Sequence, residues 1–192
     1  MKQKLKTRDL IYAGAFGAIY IILMMVLVAA TGMMPILYIL SPFVVGCVCA
    51  TVYTIYVTRI KKPGGILILA LLFGIVTSTS SFISLIWALL CGLAAELIAR
   101  AGKYSSKKMF LLSYPVFNMT MLGPFLMLVY AKQQFITLCA QFYGTDYAQA
   151  VDKLTPGWII FALAGLAIAG GAIGILLASK FAKKHFEKAG IL

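Results

Sequence analysis

Few side chains in this sequence have the types and spacing that catalysis needs. The single histidine, His185, lies near the carboxyl end, and the sequence contains no His-Glu-x-x-His run and no phosphate-binding glycine-rich loop. No carboxylate pair falls inside the long apolar runs, and the four cysteines lack zinc-site spacing, which favours buried thiols. We therefore expect a protein that is not an enzyme, with no cofactor and no metal site.

Glu96 is the only acidic residue well inside an apolar run, and ionisable groups within a membrane are functional candidates. Arg100 follows four residues later, in the order that favours an ion pair on one helix face. Two interpretations stay open: a proton or ion site at Glu96, and a structural pair between Glu96 and Arg100. The spacing favours the pair.

A second group of side chains could bind a small organic ligand. Polar, aromatic and methionine residues concentrate in the half of the membrane that carries few basic residues, and such side chains line ligand pockets. Aromatic residues also anchor membrane interfaces without any ligand, and this alternative applies to each residue taken singly. Asn118 is the strongest single candidate, because an amide at mid-membrane needs a partner. The candidate ligand-binding residues are Met25, Met34, Tyr38, Thr79, Trp87, Asn118 and Trp158.

The composition requires lipid as the solvent for most of the chain. Of the 192 residues, 62% are hydrophobic and only 11% are charged, and the mean hydropathy is +1.00. A soluble domain could not bury so much apolar surface. The sequence therefore predicts an all-α integral membrane protein that forms one membrane domain over residues 1–192.

The apolar runs predict six transmembrane helices. The tract from Ile66 to Ala99 is too long for one crossing, and the hydroxyl-rich turn Thr77–Ser81 divides it. Pro115 and Pro124 predict kinks in the fifth span. The expected spans cover residues 10–30, 42–58, 66–78, 82–100, 109–130 and 157–179.

Two connections between these spans are unusual. Thr31–Ser41 contains the helix breakers Gly32 and Pro35 but is otherwise apolar, which predicts a hydrophobic, lid-like loop after helix 1. Ser41 and Pro42 would then cap the second span. The segment Lys132–Thr155 is the one long polar connection.

The distribution of charge predicts the topology. All but two of the 17 lysines and arginines lie at the termini or in the loops after spans two and four. Six spans with both termini in the cytoplasm satisfy the positive-inside rule. The net charge of +12 is thus explained by cytoplasmic loops, and we expect a lipid bilayer rather than nucleic acid as partner.

Small residues four positions apart occur on the first and last spans. Such pairs lie on one helix face and let another helix approach closely. On the first span they predict either a docking surface for a partner subunit or an ordinary internal helix crossing. The pairs are Ala13 with Gly17 and Gly14 with Ala18, and then Gly165 with Ala169 and Gly170 with Gly174.

The sequence resembles the substrate-binding S components of energy-coupling factor (ECF) transporters, over nearly its whole length. The resemblance rests on chain length, six spans with both ends inside, and the small residues of span one. Three segments look particularly like the MptD-type S components: Thr7–Ile11 with Ala13–Tyr20, Gly92–Leu97, and Lys184–Ile191. The resemblance implies a prokaryotic plasma-membrane protein that captures a micronutrient outside the cell.

The same resemblance implies the partners and a mechanism. An S component associates with a membrane T component and two cytoplasmic ATPases, and is thought to topple in the bilayer to release its substrate. The family's AxxxA motif would correspond to Ala13 and Gly17, or to Gly14 and Ala18, and the lid to Met33–Tyr38. The alternatives are a membrane scaffold subunit without a small ligand and a stand-alone secondary carrier, which predicts internal repeats and coupling charges.

Overall fold

The computed structural model describes residues 5–181, and every regular element within this range is a helix. The all-helical prediction is therefore confirmed for these residues. Lys184–Ile191, which contributes to the family resemblance, lies outside them. The helices are α1 (Thr7–Gly32), α2 (Pro35–Arg59), α3 (Gly65–Thr77), α4 (Phe82–Ala101), α5 (Lys107–Asn118), a 3-10 turn (Met119–Met121), α6 (Leu122–Phe125), α7 (Met127–Tyr130), α8 (Lys132–Tyr143), α9 (Thr145–Leu154) and α10 (Ile159–Phe181).

Five helical segments of the described chain are long and apolar enough to cross a membrane. They are α1, α2, α4, α10 and the broken helix α5–α7. α3 is also apolar but has only 13 residues. The sixth crossing and the cytoplasmic position of the termini therefore remain predictions. α1 begins beside the α2–α3 connection, where Lys62 pairs with Asp9 at 2.6 Å.

Glycines bring α2 and α10 into close contact at the centre of the molecule. A Cβ atom at Gly170 would lie 2.7 Å from the Cα atom of Phe43, and one at Gly174 would overlap the carbonyl oxygen of Gly46. No larger residue fits at this crossing without a backbone shift. The small-residue pair Gly170 and Gly174 therefore forms an internal helix contact.

The prediction of a lid-like loop after helix 1 is wrong. Only Met33 and Met34 separate α1 from α2. Pro35 is the first residue of α2, where the missing N–H of a proline costs no helical hydrogen bond. Ser41 and Pro42 consequently lie inside α2 instead of capping it. Pro42 has no N–H to donate to the carbonyl of Tyr38 one turn earlier, and membrane helices tolerate such internal prolines. The Nδ2 atom of Asn118 in α5 donates to the carbonyl of Pro42 itself.

The long polar connection is instead a pair of helices, α8 and α9, joined at Gly144. Gly144 has a φ of 92°, a conformation that side chains strongly disfavour. The buried faces of α8 and α9 pack against the end of the bundle opposite Asp9 and Lys62, and we call this pair the roof. Its core residues include Phe135, Cys139, Ala148 and Val151.

The fifth apolar segment is broken, as its prolines predict. α5 contains Pro115, and a 3-10 turn follows it before the short helices α6 and α7. Such a break brings backbone and polar groups into the bundle interior.

The four cysteines are free thiols, as their spacing predicts. Cys49, Cys91 and Cys139 are buried, and Cys47 is partly exposed.

Candidate functional site

A cavity of about 310 Å³ lies beneath the roof, between α1, α2, α3 and the broken helix. We call it the inner chamber. This volume is at the lower end of small-molecule pockets, which span roughly 300–1,000 Å³. Its lining comes from five parts of the chain and is mainly apolar: Met24, Met25, Val28, Ala29, Tyr38, Ser41, Phe73, Val76, Thr77, Thr79, Ser80, Met121, Pro124, Phe125 and Tyr143.

The hydroxyl groups of the inner chamber differ in how they are bound. Thr77 and Thr79 donate to backbone carbonyls of the preceding helical turn, at 3.0 and 2.8 Å. Ser41 is fully buried, and its Oγ has no hydrogen-bond partner among residues 5–181. A buried hydroxyl without a partner is energetically costly, and Ser41 is the one fully buried hydroxyl of this wall that lacks a partner in the described chain. The hydroxyls of Tyr38, Ser80 and Tyr143 also line the chamber, but they are less buried.

A second cavity of about 380 Å³ adjoins the first, directly under α8, and we call it the outer chamber. The two chambers share five wall residues: Tyr38, Thr79, Ser80, Pro124 and Tyr143. The remainder of the outer wall consists of Met127, Phe135, Leu138, Cys139 and Phe142. Of the described residues, no lysine, arginine, aspartate or glutamate lines either chamber.

Burial keeps two titratable side chains of the roof, Tyr147 and Cys139, in their neutral forms at physiological pH. Tyr143 stacks on Tyr147 with ring centroids 4.6 Å apart. The pKa of Tyr147 is raised to about 12, mainly by burial and to a smaller extent by the neighbouring Tyr143. Burial also raises the pKa of the Cys139 thiol above its ordinary value. The roof thus presents hydroxyl, thiol and aromatic groups to the chambers.

Three of the seven predicted ligand-binding residues meet in the inner chamber: Met25, Tyr38 and Thr79. Two others lie elsewhere on the surface. Met34 lines a separate shallow cleft with residues of α9, and Trp158 is 63% exposed outside both chambers.

The remaining two predicted residues, Asn118 and Trp87, form hydrogen bonds between helices of the bundle. Asn118 is fully buried and its Nδ2 donates to the Pro42 carbonyl at 3.0 Å and to the Ala167 carbonyl at 2.7 Å. It therefore ties α5 to α2 and α10. The indole nitrogen of Trp87 donates to the Met119 carbonyl at 2.8 Å, which satisfies the 3-10 turn.

Tyr143 and Ser41 are wall residues that the sequence analysis did not single out. A signal for α8 exists, because Phe135, Leu138, Cys139 and Phe142 recur at the spacing of one helix face. For Ser41 the signal was misleading, since a serine before a proline is typical of a helix start.

Glu96 does not form the expected ion pair with Arg100. The described chain contains no contact between their charged groups within 4.0 Å, and Arg100 is exposed. Glu96 instead accepts hydrogen bonds from the Gly64 and Ile66 amides, at 2.8 and 3.0 Å, and from the Tyr104 hydroxyl at 2.8 Å. The carboxylate thus binds the first amides of α3, where the helix dipole favours negative charge.

The two small-residue pairs of α1 have different environments. Ala13 and Gly17 are buried, and a Cβ atom at Gly17 would lie 2.7 Å from Leu72 of α3. Gly14 and Ala18 are exposed, and a Cβ atom at Gly14 would meet no atom within 4 Å. The first pair is therefore used for internal packing, and the second is the pair available to another protein.

Comparison with known proteins agrees with the helical, lipid-exposed architecture. A family model described as "Hypothetical bacterial integral membrane protein (Trep_Strep)" matches residues 7–188. No curated protein and no solved structure matches the chain significantly. Since the match covers almost all of the sequence, the chain belongs to the Trep_Strep family of bacterial integral membrane proteins.

Proposed function

We propose that this protein is the substrate-capture subunit of an ECF-type micronutrient transporter. It binds a small molecule on the extracellular side and delivers it by association with a T component and two cytoplasmic ATPases. The observation that carries the proposal is the pair of chambers beneath the roof, at the end of the bundle away from Asp9 and Lys62. By the positive-inside rule this end faces outwards, where a captured nutrient would enter.

The chamber walls further support substrate capture over a scaffold role. A binding subunit needs a cavity of small-molecule size lined by aromatic, thioether and hydroxyl side chains, as the inner chamber is, whereas a scaffold subunit does not. The described spans also contain no carboxylate directed into the chambers, as a coupled secondary carrier would need.

The exposed face of α1 is the proposed docking surface for the T component. Gly14 and Ala18 leave a shallow groove between exposed apolar side chains such as Leu10 and Ile22. Close helix contact in a membrane requires small residues of this kind. The buried pair Ala13 and Gly17 is a poorer candidate, because α3 already covers it.

Copurification tests this assignment directly. The protein is coexpressed with the T component and the two ATPases of its own organism, and the complex is captured through a tag on an ATPase. Gly14→Leu and Ala18→Leu should abolish capture of the protein while leaving its thermal unfolding unchanged, because neither side chain enters the packed interior.

Gly165→Leu is the matched control, since Gly165 is likewise exposed and without neighbours within 4 Å, but lies on α10. It should be captured normally. Mass spectrometry of small molecules retained by the captured complex then identifies the substrate. A complex that forms equally well with Gly14→Leu contradicts the docking surface. A stable complex that never contains a ligand favours the scaffold function.

A further inference from the structure

We infer that the inner chamber accepts an uncharged aromatic molecule whose polar group binds the Ser41 hydroxyl. This inference rests on the proposed function for its transport role, but the binding itself is testable on the isolated protein. It is based on three properties of the wall: its lack of charge, its one fully buried hydroxyl without a partner in the described chain, and its aromatic and thioether side chains.

The lack of charge excludes an ionised substrate group from the chambers. An ion transferred from water into an apolar cavity loses its hydration and requires a counter-charge. Among residues 5–181 neither chamber offers one. The charged pair of the roof, Lys132 and Asp152, is bonded to itself at 2.7 Å and lines neither chamber.

Ser41 provides the polar contact. Its side chain lies in the chamber wall, its exposure is 0%, and its Oγ lacks a partner in the described chain. A hydroxyl both donates and accepts, so a carbonyl, amide or hydroxyl of the ligand would satisfy it. The ligand thereby gains a hydrogen bond in a site of low dielectric, where such bonds are strong.

The remaining wall favours a flat ring. The Tyr38 and Phe125 rings lie 5.1 Å apart at the boundary between the two chambers, and Phe73 lies further in. Met24 and Met121 contribute thioethers, which make favourable contacts with aromatic edges. Ring stacking and sulfur contacts are available here to any aromatic ligand, whereas a zwitterionic amino acid would leave both of its charges without a counter-charge.

Three probes of equal shape and different charge test the inference. Benzamide is neutral, benzoate carries one negative charge and benzamidinium one positive charge. Each is titrated against the purified protein in lipid nanodiscs by saturation-transfer NMR, with empty nanodiscs to subtract partition into lipid. We expect saturable binding of benzamide, and affinities at least tenfold weaker for both charged probes.

Two variants, Ser41→Ala and Ser84→Ala, distinguish the loss of a hydrogen bond to the ligand from the general effect of removing a buried hydroxyl. Ser84 is also fully buried with an Oγ that lacks a partner within the described range, but it packs against Gly123 and lines neither chamber. Ser41→Ala should weaken benzamide binding about fivefold to tenfold, the effect of one lost hydrogen bond, and Ser84→Ala should not change it. Neither variant should lower the unfolding temperature of the ligand-free protein.

The results distinguish failure of this inference from failure of the transporter assignment. Equal or tighter binding of benzoate or benzamidinium, no saturable binding of benzamide, or unchanged affinity in Ser41→Ala would overturn the inference. In each case capture by the T component is measured independently, so an intact complex leaves the transporter assignment standing with a different substrate class.

Discussion

Glu96 should contribute more to stability than any other side chain at its end of the bundle. Its carboxylate accepts three hydrogen bonds, from Gly64, Ile66 and Tyr104, at 5% exposure. In Glu96→Gln the amide keeps one oxygen, so at least one backbone N–H of α3 loses its acceptor and the charge assistance disappears. An unpaired buried donor costs about 1–3 kcal/mol, and the lost charge adds up to about 1 kcal/mol at a helix start. We expect a total of about 1–4 kcal/mol.

Two further variants separate the helix cap from the ion pair that the spacing suggested. Tyr104→Phe removes one of the three hydrogen bonds and should cost about 1–2 kcal/mol. Arg100→Ala removes an exposed side chain that does not contact Glu96, and should cost less than about 0.5 kcal/mol.

Thermal unfolding in detergent, followed with a thiol-reactive fluorophore, measures these effects. The assay suits this protein because Cys49, Cys91 and Cys139 are buried free thiols that become reactive only on opening. Glu96→Gln should lower the unfolding temperature by on the order of 10 °C. If Arg100→Ala lowers it as much as Glu96→Gln, the ion pair is the stabilising interaction and the reasoning from the hydrogen bonds is refuted.

Two other substitutions test the helix contacts in the same assay. Gly170→Leu should cost more than about 3 kcal/mol or prevent folding, because its Cβ would lie 2.7 Å from the Cα of Phe43, whereas exposed Gly165→Leu should be neutral; equal effects of the two would refute the close crossing. Asn118→Ala should cost about 1–3 kcal/mol, since it removes two hydrogen bonds that join three helices; an unchanged unfolding temperature would show that these bonds contribute nothing.

The sequence predicts the long apolar helices well, because the backbone of an apolar segment in lipid must satisfy its own hydrogen bonds. The start of α2 is misplaced, because this requirement also applies to the segment around Pro35. Gly32 and Pro35 predict a loop when they are considered as helix breakers, but a proline fits the first turn of a helix. In lipid, an apolar segment satisfies its backbone hydrogen bonds best as a helix. The prediction of a lid-like loop therefore fails, because the lipid environment favours helix more strongly than Gly32 and Pro35 oppose it.

The site was only partly predictable. Residue type was enough to select Met25, Tyr38 and Thr79, which share one wall. The roof required tertiary information, because α8 is amphipathic and its mean polarity resembles that of a loop. Asn118 was correctly expected to need a partner, but only the position of Pro42 shows that the partner is backbone.

The short length of α3 determines how deep the chambers lie in the bilayer. Thirteen helical residues rise about 20 Å, roughly 10 Å less than the hydrocarbon thickness of about 30 Å. In the six-span arrangement that the charge distribution predicts, the turn that carries Thr79 and Ser80 would therefore end below the membrane surface, and the surrounding lipid would have to thin or the protein to cover it. For the proposed substrate-capture subunit we therefore expect ligand occupancy of the chambers to depend on acyl-chain length, because thinner bilayers relieve the mismatch at α3 and thicker ones oppose the approach of water to the site.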